Sequence, residues 1–553
     1  MFHRAMHRAR INSAANRITI VKIRHHQLAI PCCRNLSSSP RPDSSHSNGR
    51  DEMSNTKPAL LKRIPSLPLF GSLVPLYSGI ELEFGGGNIV KEMRKICKDH
   101  GPFFSMGLPI LGSGLRGTVY LVQDVDVMAR ILRQEASSPS GIIESEWPMI
   151  AWMEKKNYKS VGLMKRGQEW KRIRSFMQKD LLAPASAREY LPGIMKGAAK
   201  ASSKATEFVK ENNIVRFLNF AAIDMFAYVL FGGDKGMSDQ DYEQFCVSSV
   251  EALSILVQIM RNPLEKIAFS ISGYETAQMK QFHSHMDILD DIARRRLHMF
   301  IEQASAGLLS EDERNSYFYK LIQRQPESDV TEEEMIEIAI MVMIAAVDTT
   351  ASKTSWNILQ LAINQDLQTR LYEELKEAVQ KEGDLTPAII ERSQVPLLSA
   401  FIRETHRCTP PIFSDIVKEI SVPTEVYGEI LPAGSVIMFD PQSVQMDSAL
   451  VEDPMEFRPE RWLKDAVDRR KNTPAGIIDH PFYSGPFSQG PRRCPGSRVA
   501  YLEVQAMLAS LLMDWKIEGP ENLHWSQVPG NLQFFLLPDF AALPEIQFVP
   551  RSP

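Results

Sequence analysis

The sequence contains the stretch Phe487-Ser-Gln-Gly-Pro-Arg-Arg-Cys-Pro-Gly496, and a helical pattern follows it from Val499 onward. Cys494 therefore lies in a glycine-punctuated loop directly before a helix. Backbone N–H groups in such a loop, together with the positive end of the helix dipole, stabilise a thiolate. Arg492 adds a further positive charge nearby. The pattern indicates a cysteine that can be held as an anion.

The two glycines of this loop permit close contact with a flat ligand. Gly490 and Gly496 carry no Cβ, so the backbone can approach a planar group there. A lone thiolate in these surroundings suits an axial ligand to haem iron. The competing interpretation, usual for a single cysteine, is a buried structural residue. The other cysteines have no comparable setting: they are Cys32, Cys33, Cys97, Cys246 and Cys408.

The loop matches the pattern F-x-x-G-x-R-x-C-x-G at every fixed position and resembles the haem-binding loop of the cytochrome P-450 family. The resemblance implies a mainly α fold with a minor, segregated β part. It places haem b between a long central helix and the cysteine loop, with Cys494 as the axial iron ligand. It also implies that the loop contacts the cofactor through Phe487, Gly490, Arg492 and Gly496.

A second motif lies in the predicted long helix Glu332–Ile363. The run Ala345-Ala-Val-Asp-Thr-Thr350 puts an acid beside hydroxyls in an otherwise apolar helix, which is costly unless it is useful. It resembles the family's oxygen-activation motif A-G-x-D/E-T, with Ala346 in place of the usual glycine. The resemblance implies two catalytic residues, Asp348 to draw protons in and Thr349 to hydrogen-bond dioxygen. The alternative is an ordinary helix with one exposed acid.

Three charged residues resemble a structural triad of the same family. Glu404 and Arg407 have the spacing that places them on one helix face, and Arg461 lies in a Pro-Glu-Arg-Trp segment downstream. On its own the first pair would be read as a surface ion pair of little consequence. The resemblance implies that all three lock the loop behind the haem through planar guanidinium forks. We assign them a structural role.

A further pair, Trp170 and Arg174, resembles the family's W-x-x-x-R helix. One helical turn apart, the indole N–H and the guanidinium would both donate to one haem propionate. Arg492 would help to neutralise the cofactor's carboxylates. The spacing alone is weak evidence, but the motifs occur in the order that the family requires.

The first 42 residues differ in charge from the rest of the chain. They carry seven arginines, Lys22 and no acid, a net charge of +8, which leaves −12 for the remainder of a chain whose formal charge is −4. Such an Arg-rich, acid-free segment, followed by three serines at Ser37–Ser39, is typical of an organellar transit peptide, with a disordered basic tail as the alternative. The acidic body argues against nucleic-acid binding.

We expect three parts of the chain: a mitochondrial transit peptide and disordered segment at 1–50, a proline-rich lead-in at 51–75, and a single haem-thiolate monooxygenase domain at 76–553. The longest apolar run, Ile338–Val347, has ten residues, which is too short to span a membrane. Peripheral attachment is left open. Helices are predicted over about 169–407, including Asp287–Phe300 and Leu367–Lys381, and strands are predicted near Pro102–Met106, Gly117–Val122, Ser435–Phe439 and Leu532–Leu537.

The leader and the resemblance together favour the mitochondrial class of the family. Members of that class take electrons from a small acidic ferredoxin, which an NADPH-dependent reductase reduces. Arg403 and Arg498 match two of the basic positions expected for docking, whereas Ser399 and Ser497 depart from the other two. The implied location is the mitochondrion, in the matrix or associated with the inner membrane.

The resemblance implies a haem-thiolate monooxygenase that hydroxylates an apolar, lipid-like substrate such as a sterol or steroid. Two other functions remain possible on the sequence. A haem-thiolate isomerase or dehydratase would rearrange a peroxide without external reductant, and a haem sensor or carrier would have no activity. Asp348 and Thr349 argue against both, because neither function needs protons delivered to dioxygen.

Overall fold

A long apolar helix, Glu332–Ile363, runs through the middle of the protein in the computed structural model. All described residues belong to one compact unit, Pro58–Pro553. The predicted transit peptide and most of the lead-in lie outside them. The structure describes residues 62–63, 96, 99–107, 118–134, 147–164, 167–209, 213–233, 236–262, 265, 268–269, 273–390, 394–410, 417–520, 522–528, 530–532 and 536–551.

Helices make up most of the described chain. In order they are α1 (Val125–Gln134), α2 (Trp147–Lys155), α3 (Gly167–Leu182), α4 (Pro184–Ser203), α5 (Ala205–Val209), α6 (Ile214–Phe231), α7 (Asp239–Arg261), α8 (Ala277–Ser305), α9 (Glu311–Arg314), α10 (Tyr317–Arg324), α11 (Glu332–Ile363), α12 (Gln365–Glu382), α13 (Pro387–Ile390), α14 (Pro396–Cys408), α15 (Pro441–Gln445), α16 (Lys464–Arg470), α17 (Pro481–Ser484) and α18 (Ser497–Asp514). A 3₁₀ helix at Lys159–Leu163 precedes α3.

Within the described ranges the strands are short and form one five-stranded sheet and three two-stranded ribbons. They are β1 (Lys62–Arg63), β2 (Phe103–Gly107), β3 (Thr118–Val122), β4 (Val417–Glu419), β5 (Thr424–Val426), β6 (Glu429–Leu431), β7 (Val436–Phe439), β8 (Trp515–Glu518), β9 (Gly530–Leu532), β10 (Leu536–Pro538) and β11 (Gln547–Pro550). The large sheet has the order β1-β2-β3-β7-β4, and the ribbons pair β5 with β6, β8 with β11 and β9 with β10.

The large sheet buries both of its faces. Phe103 pairs with Val122 and the adjacent Phe104 pairs with Leu121 in the antiparallel register of β2 and β3. Because successive side chains point to opposite faces, the first pair enters one apolar cluster and the second pair enters another. The sheet is therefore covered on each side and lies apart from the helical core.

The sequence of α11 explains both its length and its position. A capping box at its start satisfies two orphan N–H groups, because Thr331 and Glu334 bond each other's backbone. At 1.5 Å per residue its 32 residues extend about 48 Å. Its apolar surface packs against α6 and α18 in the main core. By length and hydropathy α6 and α11 could each cross a membrane, but 83% and 78% of their apolar windows are buried, as expected of core helices.

The mainly α fold with a segregated β part is confirmed. The predicted helix Glu332–Ile363 is observed at the same limits, and the predicted strands near 102–106, 117–122 and 435–439 are present. One expectation needs correction: the run Leu532–Leu537 is divided between two antiparallel strands, β9 and β10. Within the lead-in, Lys62–Arg63 pairs with β2 as a strand.

Candidate active site

The cysteine loop is closed by its own backbone. The N–H of Cys494 donates to the carbonyl of Phe487 at 3.0 Å, and the N–H of Arg493 donates to that of Gly490 at 3.1 Å. Gly490 has a backbone φ of 80°, which residues with a side chain rarely adopt. A Cβ at this position would lie 3.2 Å from the Leu132 side chain. The loop thus needs glycine at this position, and it presents a half-buried, unoxidised thiol.

Opposing effects act on the sulfur of Cys494. Burial is the largest and raises the pKa of the thiol, while an N–H hydrogen bond from Gly496 and the charges of Arg174 and Arg493 lower it. Gly496 is also the N-cap of α18, whose positive end faces the loop. A thiol in this balance becomes a thiolate when a metal cation supplies the missing charge. The space beside Gly496 is open, with no atom within 4 Å of where a Cβ would lie.

Helix α3 places Trp170 and Arg174 beside the cysteine loop. Arg174 is buried, with 6% exposed, and donates to Gln178 at 2.8 Å and to the carbonyl of Arg493. The Arg492 guanidinium lies over the Trp170 ring, 4.8 Å from its centroid. The structure therefore brings together four predicted site residues: Trp170, Arg174, Arg492 and Cys494.

The electrostatics of this cluster fit an anionic, flat cofactor. Burial lowers the pKa of Arg174, and Arg492 opposes its charge further. No carboxylate among the described residues pairs with Arg174. A buried cation without a counter-charge is costly, so a ligand with carboxylates is favoured there. Haem b, with two propionates and an iron for the thiolate, has the matching chemistry.

Helix α11 has a small open face in an otherwise buried middle. Ala345 and Thr349 are exposed, whereas the neighbouring Ile344 and Val347 are buried. The two exposed residues are one turn apart, and the Thr349 hydroxyl donates to the Ala345 carbonyl at 3.0 Å. An exposed patch on a core helix indicates a cavity beside it.

Asp348 is held by a residue of another helix. Its carboxylate accepts a 2.6 Å hydrogen bond from Ser249 of α7. Burial raises the pKa of Asp348 to about 6, against the hydrogen bond from Ser249, which lowers it. A carboxyl with such a pKa exchanges protons readily near neutral pH, as a relay requires.

The sequence analysis did not identify Ser249, and it also missed Glu503. Glu503 on α18 is buried and accepts a 3.1 Å hydrogen bond from Thr350, while burial raises its pKa to about 8. It is the one acid inside the apolar part of α18, a signal that could have been noticed. Ser249 is a single serine in an amphipathic helix, and nothing in the sequence distinguishes it.

The predicted triad is assembled around a fully buried carboxylate. Arg407 donates twice to Glu404, at 2.9 and 2.7 Å, and Arg461 donates at 2.9 Å. The indole of Trp462 and the backbone N–H of Arg458 add bonds of 2.7 and 2.9 Å. These donors hold the pKa of Glu404 below its usual range in spite of burial. The arrangement binds the segment from Glu452 to Trp462 to α14.

Comparison with known proteins accords with this geometry. A family model described as "Cytochrome P450" matches residues 63–539. This chain belongs to the cytochrome P450 family. Enzymes of this family bind haem b through a cysteine thiolate, and the chain is accordingly a cytochrome P450 monooxygenase.

Several curated proteins are similar in sequence to this P450 over much of its length. "Probable cytochrome P450 49a1" of Drosophila melanogaster is 26% identical over 64% of this chain but only 60% of its own length. "Sterol 26-hydroxylase, mitochondrial" of Rattus norvegicus is 23% identical, covering 73% of this chain and 75% of the rat protein. "1,25-dihydroxyvitamin D(3) 24-hydroxylase, mitochondrial" of the same organism is 24% identical, over 82% and 83%.

The two predicted docking residues have different environments in this P450. Arg403 stacks on Trp462, 4.0 Å from the ring centroid, and pairs with Asp479 at 3.7 Å. Arg403 is half-buried, and its docking role stays a prediction. Arg498 is exposed at the start of α18 and donates to the Leu182 carbonyl at 2.7 Å. Its docking role stays a prediction.

By their position in the sequence, the apolar residues that could line a substrate pocket or belong to the core are Ile344, Ala345, Pro411–Phe413 and Phe534–Phe535. Ile344 is buried in the core, and Ala345 is on the open face of α11. Pro411–Phe413 and Phe534–Phe535 lie outside the described residues.

Proposed function

We propose that the protein is a mitochondrial P450 that hydroxylates an apolar lipid, with Cys494 as the axial haem ligand and a ferredoxin as electron donor. The observation that supports it most is the cluster around Cys494. A half-buried thiol lies with Arg174, a buried cation that has no carboxylate partner among the residues described. A group that combines a metal with two carboxylates satisfies both at once.

Each residue of the cluster has a defined task in this proposal. Haem b supplies the activation of dioxygen when it is bound. Trp170, Arg174 and Arg492 bind its carboxylates, and the glycines of the loop leave room for its plane. Across the site, Asp348 would hold and release a proton at its carboxylate, and the Thr349 hydroxyl would orient the hydrogen-bonded path along which that proton moves toward the cofactor.

The proposed substrate is apolar because of what surrounds the open face of α11. The middle of this helix, Ile338–Val347, carries only apolar side chains, and apolar surroundings exclude water from a cavity. The two rat relatives act, by their names, on a sterol and on a dihydroxyvitamin D. We infer a lipid of the sterol or steroid type for this protein.

The proposed electron donor and location depend on charge and on the leader. Both rat relatives are named as mitochondrial, and residues 1–42 have the composition of a transit peptide. Arg493 and Arg498 are exposed beside the cysteine loop, where an acidic ferredoxin with its NADPH-dependent reductase would deliver electrons. We propose a transit peptide within residues 1–50, a lead-in at 51–75 and a single monooxygenase domain at 76–553, with peripheral attachment to the inner membrane.

Carbon monoxide binding to the reduced protein tests the central assignment. We expect the strongly red-shifted Soret band of thiolate ligation in the wild type and its loss in Cys494→Ser. Cys246→Ser is the matched control, since Cys246 is buried in the core away from the loop, and it should keep the band. An unchanged band in Cys494→Ser would show that another residue ligates the iron.

A further inference from the structure

Ser249 makes a contact that no motif of the sequence explains. It lies in the middle of α7, is 1% exposed, and donates its hydroxyl to the Asp348 carboxylate on α11 at 2.6 Å. The neighbouring Ser248 is equally buried, but its hydroxyl lies 3.4 Å from Nδ1 of His285 on α8. Two adjacent serines of one helix therefore contact different helices, and only one of them contacts the relay acid.

Asp348 has no other anchor in the described part of the chain. Its side chain forms one hydrogen bond, to Ser249, and apart from burial only that bond shifts its pKa. Thr349 cannot hold it, because the Thr349 hydroxyl donates to Ala345. The titratable groups on adjacent packed helices are Glu503 of α18, which bonds to Thr350, and His285 of α8, which lies beside Ser248.

We propose that Ser249 is a positioning residue of the proton relay, because its hydroxyl fixes the orientation of the Asp348 carboxylate. The relay is then aligned only while α7 is seated against α11. This inference rests on the proposed function. It adds a residue of a second helix, α7, to a proton relay that the motif assigns to α11 alone.

The chemistry of the bond gives the direction of its effect. A hydroxyl that donates to a carboxylate stabilises the ionised form. Without that donor, the burial of Asp348 acts unopposed and the carboxyl holds its proton to higher pH. The freed side chain also gains rotamers, so fewer molecules present it in the productive orientation.

Infrared difference titration of the ferric holoenzyme measures this directly, without turnover. The carboxyl band that is absent in Asp348→Asn reports the protonation of Asp348. In Ser249→Ala we expect its midpoint to rise by about one pH unit, a tenfold change in the dissociation constant. Ser248→Ala, the matched control, and Ser249→Thr, which keeps the hydroxyl, should leave the midpoint unchanged.

A second measurement connects the bond to the reaction. In Ser249→Ala, the fraction of reductant that ends as hydrogen peroxide should rise, and the pH dependence of that fraction should move to higher pH. In Ser249→Thr, the fraction should return toward the wild-type value. In an Asp348→Asn background, Ser249→Ala should add nothing, because the two residues act as one unit.

Three results would overturn the inference: an unshifted midpoint in Ser249→Ala, an equal shift in Ser248→Ala, or a shifted midpoint with unchanged peroxide formation. The first two show that Ser249 does not hold Asp348 specifically, and the third shows that holding it does not affect the relay. Failure of the proposed function would look different, because the carbon monoxide band would then be abnormal in the wild type while the titration could still be recorded.

Discussion

At the scale of single residues, three consecutive polar side chains of α11 lie in three different environments. Asp348 bonds to Ser249 of α7, Thr349 is exposed on the open face, and Thr350 bonds to Glu503 of α18. Successive residues of a helix point about 100° apart. The motif therefore joins two neighbouring helices and the cavity within a single turn.

The hydroxyl of Thr349 should control where electrons go. We expect Thr349→Ala to retain haem but to divert reductant to hydrogen peroxide, with product formation reduced by about tenfold or more. The measurement is the ratio of product and peroxide to reductant consumed. Thr369→Ala is the control, because Thr369 makes the same bond to the preceding turn of α12 on an exposed surface. Unchanged coupling in Thr349→Ala would exclude it from the relay.

Glu503 should make the stability of the protein depend on pH in an unusual direction. Burial raises its pKa to about 8 from an ordinary value near 4.5, so between these values the folded state keeps a proton that the unfolded state releases. Stability from this group is present at low pH and is lost as the pH rises through that interval, by about 5 kcal/mol in all. Glu503→Gln should therefore reduce the loss of stability between pH 5 and 8.

Denaturant unfolding of the holoenzyme at several pH values, followed by circular dichroism and by the haem band, checks this expectation. Glu382→Gln, at the exposed end of α12, serves as the control and should follow the wild type. A Glu503→Gln profile as steep as that of the wild type would contradict the assignment.

The sequence predicts residues that belong to motifs with several fixed positions. It does not predict residues whose role depends on a contact with a distant part of the chain. Cys494, Arg174 and Asp348 were identified because several spaced positions coincide. Ser249 was not, since its meaning comes from a helix about a hundred residues away. The stacking of Arg403 on Trp462 could not be predicted for a similar reason, because that ring belongs to a distant segment.

At the scale of elements, the Glu404 cluster ties α14 to the segment that follows α15. Arg407 donates to the carbonyls of Pro454 and Glu456, and Arg461 donates to that of Glu452. An irregular segment has few backbone bonds of its own, so side-chain donors must satisfy its carbonyls. The buried charges therefore specify the path of this segment.

Removing the charge of Glu404 should disrupt that segment. We expect Glu404→Gln to cost about 3–5 kcal/mol, because two buried guanidinium groups lose their counter-charge. Haem content after purification and the midpoint of denaturant unfolding measure the effect. The control is Glu460→Gln, which breaks an exposed pair with Arg370 and should cost under about 1 kcal/mol. Equal effects of the two substitutions would refute the structural role.

Long helices were predictable as elements, whereas strands β4, β5 and β6 were not. The run Glu332–Ile363 has a start signal in Thr331 and a continuous apolar surface. Strands β4, β5 and β6 have three residues each, too few for an alternating pattern to be recognised. Their pairing depends on distant partners, as when β4 pairs with β7.

At the scale of the whole molecule, charge is distributed unevenly. The chain beyond residue 42 has a net charge of −12, yet Arg493 and Arg498 are exposed beside the cysteine loop. Arg172, which could have extended this surface, is instead paired with Glu334 at 2.5 Å. A local basic surface on an acidic body orients an acidic partner by attraction at one place and repulsion elsewhere.

This uneven distribution predicts how reduction depends on salt. Arg498→Glu should slow reduction by an acidic ferredoxin by about tenfold at low ionic strength, and the difference should shrink as salt screens the charges. Stopped-flow reduction under carbon monoxide at several ionic strengths measures the rate. Lys381→Glu makes the same change at the exposed end of α12 and should lower the rate much less. If the two reversals slow reduction equally, net charge alone governs the encounter and the surface beside Cys494 has no special role.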